Sequence, residues 1–80
     1  MITNPSMRYL VGVAARPATY ATTSLIEAHC DATESVKTVL NGRYTVELDA
    51  DERFQFHTLE LVRRALEREI EIRNNSTKLA

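Results

Sequence analysis

Apolar positions recur at two different periods along this chain of 80 residues, and the changes of period mark out its predicted elements. Met7–Ala15, MRYLVGVAA, reads as a strand. Tyr9, Val11, Val13 and Ala15 share one face, and Arg8, Leu10, Gly12 and Ala14 the other, so the bulkier first set is expected inside. Arg16 and Pro17 break the ladder, because proline fixes φ and cannot donate a hydrogen bond. A turn over residues 17–20 then leads into a second strand, residues 21–30, in which Ser24, Ile26, Ala28 and Cys30 alternate with Leu25, Glu27 and His29.

The next stretch changes period. Asp31-Ala32-Thr33-Glu34 has capping-box spacing, with aspartate in the Ser/Thr position. Ala32, Val36, Val39 and Leu40 follow as one helical stripe, and Asn41-Gly42 ends it, glycine tolerating the left-handed conformation found after helix ends. Residues 43–48 alternate again, with Tyr44, Val46 and Leu48 inward and Arg43, Thr45 and Glu47 outward. Asp49-Ala50-Asp51-Glu52 repeats the cap spacing and opens a long helix over residues 50–73. Its apolar half-wheel carries Phe54, Leu59, Leu61, Val62, Ala65, Leu66, Ile70 and Ile72. Glu60–Arg64 and Glu69–Arg73 are favourable i,i+4 pairs worth about 0.3 kcal/mol each. A competing reading makes residues 53–59 a strand, since Phe54, Phe56 and Thr58 alternate.

The order is therefore β-β-α-β-α. This is an α+β fold, with a small three-stranded, mainly antiparallel sheet and two helices packed on one face. Either the first strand lies between the other two, or the second and third are parallel neighbours. Residues 7–73 form this single domain; residues 1–6 and 74–80 are polar, non-periodic flanks expected to be disordered.

Composition narrows the function more than the pattern does. Lysine plus arginine is 10 and aspartate plus glutamate 11, a formal net charge of −1, so no basic excess favours direct binding of a phosphate backbone. One cysteine permits neither an internal disulfide nor a multi-cysteine zinc site. The chain shows no membrane span and no signal-peptide core, which points to the cytoplasm. His29 and Cys30 point to opposite faces of their strand, and Cys30 reads as a small buried residue rather than a nucleophile. His29 and His57 lack helical metal-ligand spacing, and no phosphate loop or catalytic triad is present, so no enzyme activity, metal or cofactor is expected.

Four carboxylates fall within six residues at Glu47, Asp49, Asp51 and Glu52. Helix capping and complementation of the helix dipole account for such a run; docking on a basic protein surface is the functional reading. In format the chain resembles the small phage-encoded inhibitors, anti-CRISPR proteins among them: one compact, near-neutral to acidic α+β domain with no catalytic motif. That resemblance implies a protein partner such as a nucleoprotein effector complex, whose basic channel Glu27, Glu47, Asp49, Asp51 and Glu52 would occupy. The alternative is a homo-oligomeric structural or regulatory domain that pairs through a sheet edge or the long amphipathic helix, leaving a monomer or a homodimer as the expected state.

Overall fold

A computed structural model describes residues 7–79, with side chains described through Asn75. The expected sheet is absent: among the described residues there is no strand, and the fold is three helices. Helix α1 spans Met7–Ala15, α2 Thr22–Leu40 and α3 Ala50–Leu79, with short 3-10 turns at Pro17–Thr19 and Thr45–Glu47. The α+β assignment is thus replaced by a small all-helical one.

The first expected strand has the right limits and the wrong geometry. Leu10 and Val13 are its buried residues, three apart as a helix places them, while Tyr9 and Val11 are exposed. Nine residues make a marginal helix in isolation, so α1 depends on the contacts of Leu10 and Val13 with the core. The second expected strand is the first half of α2. Leu25, Ala28, Ala32 and Val36 recur at intervals of three and four and carry one buried stripe straight through Asp31. Asp31 is therefore inside the helix and caps nothing. Cys30, expected inside, is exposed. The end of α2 falls where the sequence places it: Asn41 is left-handed at φ 48°, Gly42 follows at φ 78°, and the Asn41 N–H donates to the Lys37 carbonyl at 2.8 Å.

The third expected strand is a connection. Residues 43–49 bury Leu48 alone, leaving Tyr44 and Val46 about four-fifths exposed at 79% and 82%. The start of α3 matches expectation, and residues 53–59 are helical, which excludes the competing strand there. The helix runs past Arg73 to Leu79; residues 1–6 lie outside the described residues.

Contacts between α2 and α3 set their register. Thr22 meets Arg73, His29 meets Glu67, and Arg43 meets Glu52, so the two helices are antiparallel. This register sets Ala28 and Ala32 level with Leu66 and Val62, large side chains on α3 against small ones on α2. Helix α1 lies across this pair, its Met7 end beside Val39 and Phe54. Arg73 closes the opposite end. Its guanidinium donates to the carbonyls of Pro17 at 3.1 Å and Tyr20 at 2.7 Å and to the Thr22 hydroxyl at 2.9 Å, while Glu69 holds its Nε at 3.1 Å. The expected Glu69–Arg73 pair is present. Glu60, however, pairs with Arg63 at 2.8 Å rather than with Arg64.

Candidate functional site

The acidic run sits where α2 turns into α3, and most of it is occupied in building that turn. Arg43 lies just past the left-handed residues, which bring its guanidinium back over the end of α2. Its Nε donates at 3.1 Å to the Leu40 carbonyl, which also accepts the Arg43 N–H at 2.8 Å, and its Nη2 donates to the Val39 carbonyl at 3.0 Å, so the guanidinium caps the helix end. The same guanidinium grips Glu52 with two bonds, of 3.2 and 2.8 Å. Glu52 also accepts the Asp49 N–H at 3.1 Å, and Asp49 accepts the Glu52 N–H at 2.8 Å. This is a reciprocal capping box, as the spacing predicts. The Arg43 hydrogen bond, followed by that from the Asp49 backbone, holds the Glu52 carboxyl below its ordinary value, and Glu52 in turn raises the Arg43 guanidinium.

Glu47 accepts the Tyr44 N–H at 2.7 Å and so fixes the 3-10 turn. Of the five acids expected to form a partner patch, Glu47, Asp49 and Glu52 thus have bonds within the chain. Asp51 is exposed. Glu27 stands on α2 thirteen residues before Leu40, about 20 Å along the axis from the others. The structure brings four of these residues to one end of the hairpin and leaves Glu27 apart.

The polar groups of the α2–α3 seam form a structural chain. His29 Nε2 lies 2.7 Å from Glu67, Arg63 bridges Glu60 and approaches Glu67 at 4.0 Å, and the Thr33 hydroxyl donates to the His29 carbonyl at 2.9 Å. His57 is exposed on α3 and packs edge-on against the half-buried Phe56. Among the described residues no three His, Cys, Asp or Glu side chains are grouped to hold a metal ion, and no helix is long and apolar enough to cross a membrane.

A different surface emerges on α3. Its expected apolar half-wheel divides into two stripes. Leu59, Val62 and Leu66 are buried, with Ile70 packed against them. Phe54, Leu61 and Ile72 are exposed at 71%, 65% and 51%, and with Ala65 they fall within about 40° of one another on a helical wheel, some 120° from the buried set. This outer stripe runs over nineteen residues, from Phe54 to Ile72, about 27 Å along the axis. Beside it, Pro17 from the α1–α2 connection joins Ala65, Arg68 and Ile72 around an open depression of about 350 Å³. Val46 borders its other end in a depression with Arg53, Phe56 and His57. The sequence shows an apolar half wider than a three-stranded sheet can easily cover, but that width does not say which positions stay outside. The 7-4-7 spacing of Phe54, Leu61, Ala65 and Ile72 is the signal that separates them.

Comparison with family models, with curated proteins and with solved structures gives no match to this chain. The α+β format behind the resemblance to small phage inhibitors is replaced by three helices, so that resemblance keeps only its size and charge.

Proposed function

We propose that this chain is a protein-binding module that works through the outer face of α3. The observation that carries this reading is the stripe of Phe54, Leu61 and Ile72, three large apolar side chains left more than half exposed in one line on the longest helix. Large apolar side chains aligned on one exposed helix face suit a partner that covers them. Arg64, Arg68 and Glu71 flank the stripe and make no bond within the chain among the described residues. Such a rim suits recognition, since exposed charges steer association while apolar contacts hold it.

The acidic end is the weaker surface. Glu47, Asp49 and Glu52 already satisfy backbone donors or Arg43, and turning them toward a basic nucleoprotein would open the connection. Only Asp51 of that group is without a bond among the described residues. The test uses the immobilised protein in a lysate of the cells that express it, with quantitative mass spectrometry. Proteins retained by the wild type and lost with a Leu61→Asp, Ile72→Asp double variant of unchanged circular dichroism support the α3 surface. Equal retention by both overturns it.

A further inference from the structure

The order of residues along the outer stripe is symmetric. Phe54 and Ile72 lie nine positions either side of Arg63, and Leu61 and Ala65 lie two positions either side. Reversing α3 about residue 63 therefore sets Phe54 level with Ile72 and Leu61 level with Ala65. Any two-fold axis makes contacts reciprocal; what the symmetric spacing adds is that, in this one register, every large apolar side chain of the stripe lies level with another apolar residue of the stripe. We infer that the occupant of the α3 surface is a second copy of this chain, with the two α3 helices antiparallel and residue 63 at the two-fold axis. This inference rests on the surface proposed above and names its partner.

Two further features agree with that register. In an antiparallel pair the same flank of each helix faces its twin. One flank of the stripe carries Arg53, Glu60, Arg64 and Glu71. Arg53 also donates to the Leu48 carbonyl at 3.0 Å, and one oxygen of Glu60 accepts from Arg63 at 2.8 Å. Arg64 and Glu71 make no bond within the chain among the described residues. Under the reversal Arg53 comes within two positions, about 3 Å along the axis, of Glu71 in the other copy. Glu60 comes equally near Arg64, so around the axis two acids and two bases alternate. Arg68, closest to the stripe itself, is level with the uncharged Thr58 and has an aliphatic stem to lie along the apolar surface. The second feature is the depression at Pro17, Ala65, Arg68 and Ile72. The register carries Phe54 of the other copy to the level of Ile72, so the most exposed ring of the stripe meets the hollow beside it. A strip about one helix wide and 27 Å long covers less than the ~800 Å² per partner of a stable complex. The pairing is therefore concentration-dependent, in the micromolar range or weaker.

Sedimentation equilibrium between about 5 and 500 µM tests the pairing on the full chain. The average mass should rise from 9.1 kDa toward twice that value. Leu61→Asp and Phe54→Ala, each with unchanged circular dichroism, should shift the dissociation constant at least tenfold. Glu71→Arg should weaken pairing about fivefold, and Arg53→Glu added to it should restore pairing, provided the circular dichroism is unchanged, since Arg53→Glu also removes the bond to the Leu48 carbonyl. Disulfide trapping tests the register, with Phe54→Cys and Ile72→Cys variants made in a Cys30→Ser background. Mixed, they should form the 54–72 crosslink faster than either self-crosslink. Faster self-crosslinking overturns the antiparallel register. A mass of 9.1 kDa at every concentration overturns the pairing. If α3-dependent capture from lysate survives that result, the surface stands with another partner; if it is lost too, both readings fall.

Discussion

The inner and outer stripes of α3 are built from the same kinds of residue and have opposite environments. Leu66, 0% exposed, and Leu61, 65% exposed, sit five positions apart on one helix. The inner stripe meets two other helices, and its polar borders are stitched: Glu60 to Arg63, Glu67 to His29, Glu69 to Arg73. On the outer border Arg64, Arg68 and Glu71 have no such bonds among the described residues. Hydrophobicity alone thus does not decide which face becomes core. The deciding factor is how many elements the rest of the chain can bring to it. Two helices, one of nine residues and one of nineteen, cover one face of the much longer α3 and leave Phe54, Leu61 and Ile72 exposed.

The strongest way to break this contrast is to truncate one leucine from each stripe. Leu66→Ala should remove about 2–5 kcal/mol, much of what so small a domain holds, and bring it close to unfolding at room temperature. Leu61→Ala should change stability by less than about 0.5 kcal/mol below the concentration at which the chain pairs. Chemical denaturation of both variants at low micromolar concentration reads the difference. Equal losses would mean that the two stripes are not differently covered.

The charged borders give the next largest effect. Arg73 ties α3 to the α1–α2 connection and the start of α2, through its bonds to the Pro17 and Tyr20 carbonyls and the Thr22 hydroxyl. Arg73→Ala leaves those acceptors to find water and should cost about 1–3 kcal/mol, with the earliest loss of amide protection in residues 16–22. Arg68→Ala, on the outer border, should stay within about 0.5 kcal/mol. Thermal melts and hydrogen exchange on the pair of variants check this.

Caps are smaller still and sharpen the comparison between a residue at a helix end and one inside. Asp49→Ala removes the acceptor of the Glu52 N–H and should cost about 1 kcal/mol, while Asp49→Asn should recover most of it. Asp31→Ala, in the middle of α2, should be within about 0.5 kcal/mol of wild type. Urea titration separates the two sites.

Asp31 also shows what was legible in the sequence. Signals that depend on backbone chemistry at one point were readable: Asn41-Gly42 as a helix end, Asp49 with Glu52 as a cap, Glu69 with Arg73 as a pair. Signals that depend on choosing between periods were not. In MRYLVGVAA nearly every position is apolar or small, so Leu10 and Val13 fit a helix while Val11 and Val13 fit a strand equally well. In α2 the alternation of Ser24, Ile26, Ala28 and Cys30 with Leu25, Glu27 and His29 read as a strand, and Asp31 through Glu34 imitated a start where the Leu25, Ala28, Ala32, Val36 stripe simply continues. The candidate site shared that fate. The acids near Asp49 were visible as residues, but Glu27 joined them only because a strand was assumed. The long helix was visible as a pairing surface, but which of its apolar residues stay outside depends on the bundle that covers the rest.

The smallest expected effect is a pH dependence confined to the stitched end of the bundle. The Glu52 carboxyl is held below its ordinary value of 4.5, chiefly by the Arg43 guanidinium and then by the Asp49 N–H. A carboxyl depressed in the folded state contributes stability that is fully present above its unfolded pKa. That contribution drains away as pH falls below 4.5 and through the depressed value, since the folded protein then takes up a proton that it resists. Glu52→Gln should accordingly be less stable than wild type at pH 7, and the gap should narrow as pH falls below 4.5, where wild type loses the charged pair. Glu71→Gln, on the outer border, carries no bond within the chain among the described residues and should track wild type over the whole range. Denaturation midpoints at half-unit steps from pH 7 to about 3 decide it. A Glu52→Gln gap that stays constant through the acid range would show that Glu52 acts there by shape and hydrogen bonding alone, with no contribution from its charge.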